Sequence, residues 1–115
     1  MPPTTSYSLG DVVLVPFPFT DQTGLKKRPA VVVSSQAYHQ RRRDLIIMAV
    51  SSQVRPTPDY GEFTVKEGKK AGLIKPSVTK PVLATIEKRL VIKKLGQLQD
   101  ADRAALQNAL KMILG

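Results

Sequence analysis

The sequence predicts a mainly β domain, a small antiparallel barrel or sandwich capped by one C-terminal helix. Three observations carry this. Short β-branched and apolar runs alternate with turn-forming residues about every ten positions. Two of these runs, residues 30–34 (AVVVS) and 45–50 (LIIMAV), have the length and continuity of strands buried on both faces. Clear helical spacing occurs once, where Leu106, Ala109, Leu110, Ile113 and Leu114 recur on one face near the end of the chain.

Taken in order, residues 1–8 are polar and proline-rich and read as a loose arm. Residues 12–19 (VVLVPFPF) read as a strand that begins at Asp11 and leaves the sheet near Pro16, because a central strand loses a ladder bond at each proline. Residues 20–27 (TDQTGLKK) form a polar loop, and residues 36–44 are a polar, basic connection between the second and third strands. A turn cluster at 56–61 precedes a short fourth strand at 62–65, and EGKKAG at 67–72 is a further turn. Segments 73–82 and 86–95 are expected to hold more short strands. Asp100 and Asp102 suit the positive end of the final helix and Lys111 its negative end. There is no repeat and no linker, so residues 1–115 read as a single domain.

Composition narrows the chemistry. At 115 residues the chain is long enough to bury a core without staples. It has no cysteine, which excludes disulfides, thiolate metal sites and a cysteine nucleophile. No apolar run approaches the ~20 residues of a membrane span, and the N-terminus lacks a secretory pattern, so a cytoplasmic protein is expected. The net charge of +9 is spread through the chain, with seven basic and three acidic residues in 1–58 and eleven and six in 59–115. A field of this sign favours polyanions or an acidic protein partner.

One histidine, His39, excludes a two-imidazole acid–base pair. No His, Asp and Glu cluster has metal-ligand spacing and no glycine-rich phosphate loop precedes a helix, so no cofactor is expected. Two junctions remain. Arg28-Pro29 enters the second strand, where a guanidinium can offer a bidentate fork to phosphate, or simply cap a turn. Ser51-Ser52 follows the apolar run 45–50, where hydroxyls either open a site or end the strand by bonding its backbone.

Gly10-Asp11-Val12-Val13, Arg28-Pro29-Ala30-Val31-Val32-Val33-Ser34 and Ser51-Ser52-Gln53, in this order, resemble the MazF/PemK family of toxins from type II toxin–antitoxin modules. Gly72-Leu73-Ile74-Lys75-Pro76-Ser77 and Leu95-Gly96-Gln97-Leu98 extend the resemblance over residues 9–114. The resemblance implies an SH3-like β-barrel with a C-terminal helix, a homodimer, and a cognate acidic antitoxin that blocks the site. It also implies a sequence-specific, metal-independent endoribonuclease that cuts single-stranded RNA, often mRNA, and inhibits growth. Carried over by position, the catalytic residues are Arg28 and Ser51. The family usually has threonine in a P-[IV]-T-S stretch, whereas this chain reads Ala49-Val50-Ser51-Ser52, which keeps the hydroxyl and loses the methyl group that fixes its rotamer.

On this reading, cleavage uses the substrate's 2′-OH as nucleophile and leaves 2′,3′-cyclic phosphate and 5′-OH ends, with Arg28 stabilising the phosphorane-like transition state. His39 is a candidate base, against its plainer reading as an exposed polar loop residue. Lys26, Lys27, Ser52 and Gln53 are expected to bind RNA. Phe17 and Phe19 flank the loop and either stack on a base or pack in the core or dimer contact. The run Arg41-Arg42-Arg43, with Lys69, Lys70 and Lys75, reads as a solvated face or as contacts for RNA phosphates or antitoxin acids. Two other functions fit the fold: a gyrase-inhibiting toxin of the CcdB branch, to which the resemblance is weaker, and a non-catalytic RNA-binding regulator.

Overall fold

The structure, a computed structural model, describes residues 6–17 and 26–115, without the side chains of Phe17 and Lys26. The roles placed on Phe17, on Phe19 and on the Lys26 side chain, and the 18–25 part of the expected loop, lie outside the described residues.

Six described strands form one antiparallel sheet: β1 (Asp11–Phe17), β2 (Lys26–Val32), β3 (Asp44–Ser51), β4 (Phe63–Thr64), β5 (Val78–Glu87) and β6 (Lys93–Gln97). Their spatial order is β4-β5-β3-β2-β1-β6. The first three strands are a meander, β5 extends it beyond β3, and β6 returns to pair with β1. Lys26 and Lys27 belong to β2 rather than to the preceding loop, because the ladder with β1 runs on to the Phe17–Lys26 pair. A strand begins in each of the segments 73–82 and 86–95, β5 in the first and β6 in the second. One ten-residue strand, β5, crosses the first boundary, and pairing along most of β3 holds it together.

The sheet curls into a half-barrel. After β4 a 3-10 turn (Lys69–Ala71) reaches across to β6 at the opposite edge. Two glycines permit the approach. A Cβ on Gly96 would stand 2.5 Å from the Ala71 carbonyl oxygen, and one on Gly72 would stand 2.3 Å from that of Leu95. Gly72 also takes φ 87°, a left-handed conformation that closes the 3-10 turn.

Both faces of the central strands are covered, as the continuous apolar runs require. Val12, Val31, Met48 and Val50 pack with Phe63, Leu98 and the helix residues Leu106 and Ala109. Val13, Val15, Ala30, Val32, Leu45 and Ile47 pack on the other face with Tyr7. Tyr7 is therefore buried, and the Ser8 amide donates to Asp11 Oδ2 at 2.8 Å, so the end of the expected loose arm is tied to the sheet.

The C-terminal helix α2 spans Asp100–Leu114. Leu106 and Ala109 are buried, and Leu110 and Ile113 pack partly against the core. Leu114, expected on the same face, is 69% exposed. It lies about 80° round the helix from Leu106 and in the last turn. Asp102 does more than suit the helix dipole. It is 1% exposed, and its Oδ1 and Oδ2 accept the Lys66 and Glu67 amides at 2.8 Å each.

A short helix, α1 (Gln36–Arg41), occupies the connection read as irregular. Ser35 caps it by accepting the Tyr38 amide at 3.1 Å. Six mostly polar residues are too few for a periodic signal, and its one buried residue is His39.

Candidate active site

Arg28 and Ser51 are brought together by strand register. Ala30 pairs with Ala49, so stepping two residues outward along β2 and β3 places Arg28 opposite Ser51. The same step keeps both side chains on the face that carries Ala30, Val32, Leu45 and Ile47. The ladder itself ends at Ala30–Ala49; beyond it the two strands part, and a pocket of about 350 Å³ opens between them. Arg28, Ser51, Ser52, Gln53, Lys80 and Val82 line it around a floor of Ala49 and Val50.

β5 supplies the third side through an irregularity. Met48 pairs with Leu83 but Val50 pairs with Thr79, so Lys80, Pro81 and Val82 together span the place opposite Ala49. Pro81 has no N–H to lose from a ladder, which suits it to such a bulge. The bulge re-aims the strand and puts Lys80 and Val82 on the pocket wall. Neither residue figured among the sequence candidates. The available signal was a proline inside a strand-like run, at Lys80-Pro81.

Arg28 is half-buried, and its Nε is buried with no hydrogen-bond partner among the described residues. The Ser51 Oγ accepts the Gln53 amide at 3.1 Å. That bond ends the strand, as the plainer reading of the serine expected, and it leaves the hydroxyl hydrogen free to donate. The plainer reading of Ser51 therefore holds, and its hydroxyl hydrogen is left available to the pocket.

Lys80 is oriented from behind by Glu62, whose Oε2 lies 3.1 Å from the ammonium and 3.2 Å from Arg55 Nη2. The Asp59 amide donates to Glu62 Oε1 at 3.0 Å. This amide above all, and then the Lys80 and Arg55 charges, hold the Glu62 carboxyl below the usual range against its burial. Glu62 is thus a fixed carboxylate, and Arg28 and Lys80 make the pocket electropositive.

The sequence matches the family of PemK-like, MazF-like toxins of type II toxin–antitoxin systems over residues 8–114. The chain belongs to this family. None of the curated proteins matches it in sequence. Among solved structures it resembles an endoribonuclease in complex with its cognate antitoxin from a Mycobacterial species, at 16% identity over 95% of each chain and TM-score 0.77. It also resembles a MazE–MazF structure from Deinococcus radiodurans, at 22% identity over 96% of this chain and 98% of that one, TM-score 0.73. The toxin MazF-mt6 of Mycobacterium tuberculosis matches at 19% identity over 87% and 91%, TM-score 0.69. Likeness at these identities establishes the fold, the curled sheet with its C-terminal helix.

Within this MazF-like fold the expected site residues divide. Arg28, Ser51, Ser52 and Gln53 share the pocket, whereas Lys27 stands exposed on β2 and does not line it. His39 is not an exposed loop residue. It is 5% exposed on α1, its Nδ1 lies 2.8 Å from the Tyr7 carbonyl and its Nε2 2.5 Å from Ser34 Oγ. A carbonyl only accepts, so Nδ1 carries a proton, and Nε2 is occupied by the Ser34 hydroxyl. Both nitrogens are engaged in tying the N-terminal segment to α1 and to β3, where the Ile46 amide donates to Ser34 Oγ at 3.0 Å. His39 has no free nitrogen for a substrate. Among the described residues no three His, Cys, Asp or Glu side chains are placed to hold one metal ion, and no helix is long and apolar enough to cross a membrane.

Proposed function

We propose that this toxin is a sequence-specific, metal-independent endoribonuclease acting on single-stranded RNA in the cytoplasm. The observation that carries the reading is the pocket that Arg28 and Ser51 share. The substrate's 2′-OH gives its proton to water and attacks the adjacent phosphorus, the P–O5′ bond breaks, and the leaving 5′-oxygen takes a proton from water, so that the products are a 2′,3′-cyclic phosphate and a 5′-OH. Arg28 and Lys80 place positive charge where the phosphorane oxygens gain negative charge. The free Ser51 hydrogen donates to a non-bridging oxygen. Among the described lining residues none is a carboxylate or imidazole, so these groups act by charge and hydrogen bonding, not as proton acceptors. Ser52 and Gln53 contact the flanking nucleotides.

Partners follow from charge and surface. The +9 chain suits RNA and an acidic antitoxin alike, and one of the similar structures is an endoribonuclease bound to its cognate antitoxin. Exposed Val82, Leu90 and Ile92, on β5 and the segment that leads into β6, form the apolar part of a homodimer contact.

The test is cleavage of a long mixed-sequence RNA in excess chelator, with product ends mapped. Wild type should give discrete cuts. Arg28→Ala and Ser51→Ala should each lose about 10²–10³ in rate, and Ser51→Thr should retain activity. Intact RNA after treatment with folded wild type refutes the proposal.

A further inference from the structure

A second basic concavity lies at the far end of β3. Arg42, Arg43, Glu87, Lys88 and Arg89 line a pocket of about 350 Å³ where the end of α1 meets the turn after β5. Asp44 pairs with Glu87 there, while Ser51 pairs with Val78 at the other end of the same ladder. Seven residue steps along β3 separate the two ends, about 23 Å.

The cluster is only partly neutralised. Asp44 takes Arg42 Nε at 3.2 Å and Glu87 takes Arg89 Nη2 at 2.8 Å. Arg41, Arg43 and Lys88 have no carboxylate partner among the described residues, and Arg41 and Arg43 are exposed. The Lys88 ammonium donates to the His39 carbonyl, and its amide donates to Arg43 O at 2.8 Å, so the two segments are fastened to each other. Arg42 is held flat. Its guanidinium lies 5.5 Å from the Tyr38 ring centre while Asp44 grips its edge. Tyr38 and the Arg42 guanidinium beside it offer π surface to an unpaired base, and the three unneutralised cations offer charge to phosphates.

We infer that this patch is an RNA-anchoring exosite, which holds the strand several nucleotides away from the Arg28–Ser51 pocket. The Tyr38–Arg42 pair is what favours RNA over an acidic protein segment, which would need the charges alone. The inference rests on the RNA reading of the pocket and adds to it a length dependence that the pocket by itself does not produce.

The experiment measures binding of 2′-O-methyl single strands, which lack the attacking hydroxyl, by fluorescence anisotropy. One strand of about two nucleotides is too short to reach both ends of β3, and one of about thirty is not. Arg41→Glu/Arg43→Glu alters exposed side chains and leaves the Lys88 bonds in place. It should weaken the long strand at least tenfold and flatten its salt dependence by about 1.4 in the log–log slope, with the short strand unchanged. Equal binding of the long strand by both proteins overturns the exosite and leaves the pocket reading intact. If wild type binds neither strand, the RNA reading itself fails. If the variant binds RNA like wild type but loses polyglutamate, the patch docks an acidic protein and the inference is overturned.

Discussion

Replacing Asp102 tests whether one buried carboxylate holds the helix to the half-barrel. It accepts the Lys66 and Glu67 amides at 2.8 Å each from the first turn of α2, and is 1% exposed. Hydrogen bonds to a charged group contribute roughly 1.5–3 kcal/mol each. Lys66 and Glu67 are exposed residues, so water can re-enter beside their amides in a variant, and the low end of that range applies. Two such bonds give about 3 kcal/mol, and the lost charge at the helix N-terminus adds about 0.5 kcal/mol. Asp102→Ala should therefore cost about 3–4 kcal/mol. For 115 residues that corresponds to a fall in Tm of roughly 12–16 °C. Asp102→Asn should cost about 2–3 kcal/mol despite its similar shape, because its amide NH2 must face one of the two N–H donors. Urea unfolding followed by circular dichroism measures both, with a shifted midpoint and unchanged m value. Hydrogen exchange should localise the loss to the amides of Lys66 and Glu67. If both variants stay within about 1 kcal/mol of wild type, the carboxylate does not anchor the helix and the reasoning is wrong.

Three further outcomes are expected. Glu62 has its carboxyl lowered by the Asp59 amide and the Lys80 and Arg55 charges, so its stabilisation is present above the unfolded carboxyl range near pH 4.5 and fades as pH falls through the folded value. The stability gap between wild type and Glu62→Gln should therefore be full at pH 7 and close in acid, and a gap that grew below pH 4 would contradict the ion-pair arrangement. His39→Asn should lower stability by about 2–3 kcal/mol through its broken bonds to Tyr7 and Ser34. The pH profile of RNA cleavage should keep its shape in that variant, whereas loss of a limb near neutral pH would restore the histidine as a base. Gly96→Ala should cost at least about 2 kcal/mol, since its Cβ would meet the Ala71 carbonyl at 2.5 Å, and thermal unfolding with Tm unchanged would show that the edges of the sheet can move apart.

Much of this protein is local, and what is local was legible. Continuous apolar runs at 30–34 and 45–50 are strands because both faces of the sheet are covered, and composition alone carries that. The spacing of Leu106 and Ala109 named the helix and its buried face, and the motifs around Arg28 and Ser51 pointed to two residues that line one pocket. What only the tertiary structure decided depends on partners distant in sequence. Lys80 joins the pocket because β5 bulges opposite Ala49 and Glu62 holds its ammonium, neither of which a run of ten residues reveals. His39 looked like a polar loop residue because its two partners, Tyr7 and Ser34, come from the N-terminal segment and the end of β2's run. Asp102 looked like a dipole residue until Lys66 and Glu67, about 35 positions earlier, presented their amides. Polar side chains take their roles from whatever donor or acceptor the fold delivers to them, whereas an apolar run needs only to be buried.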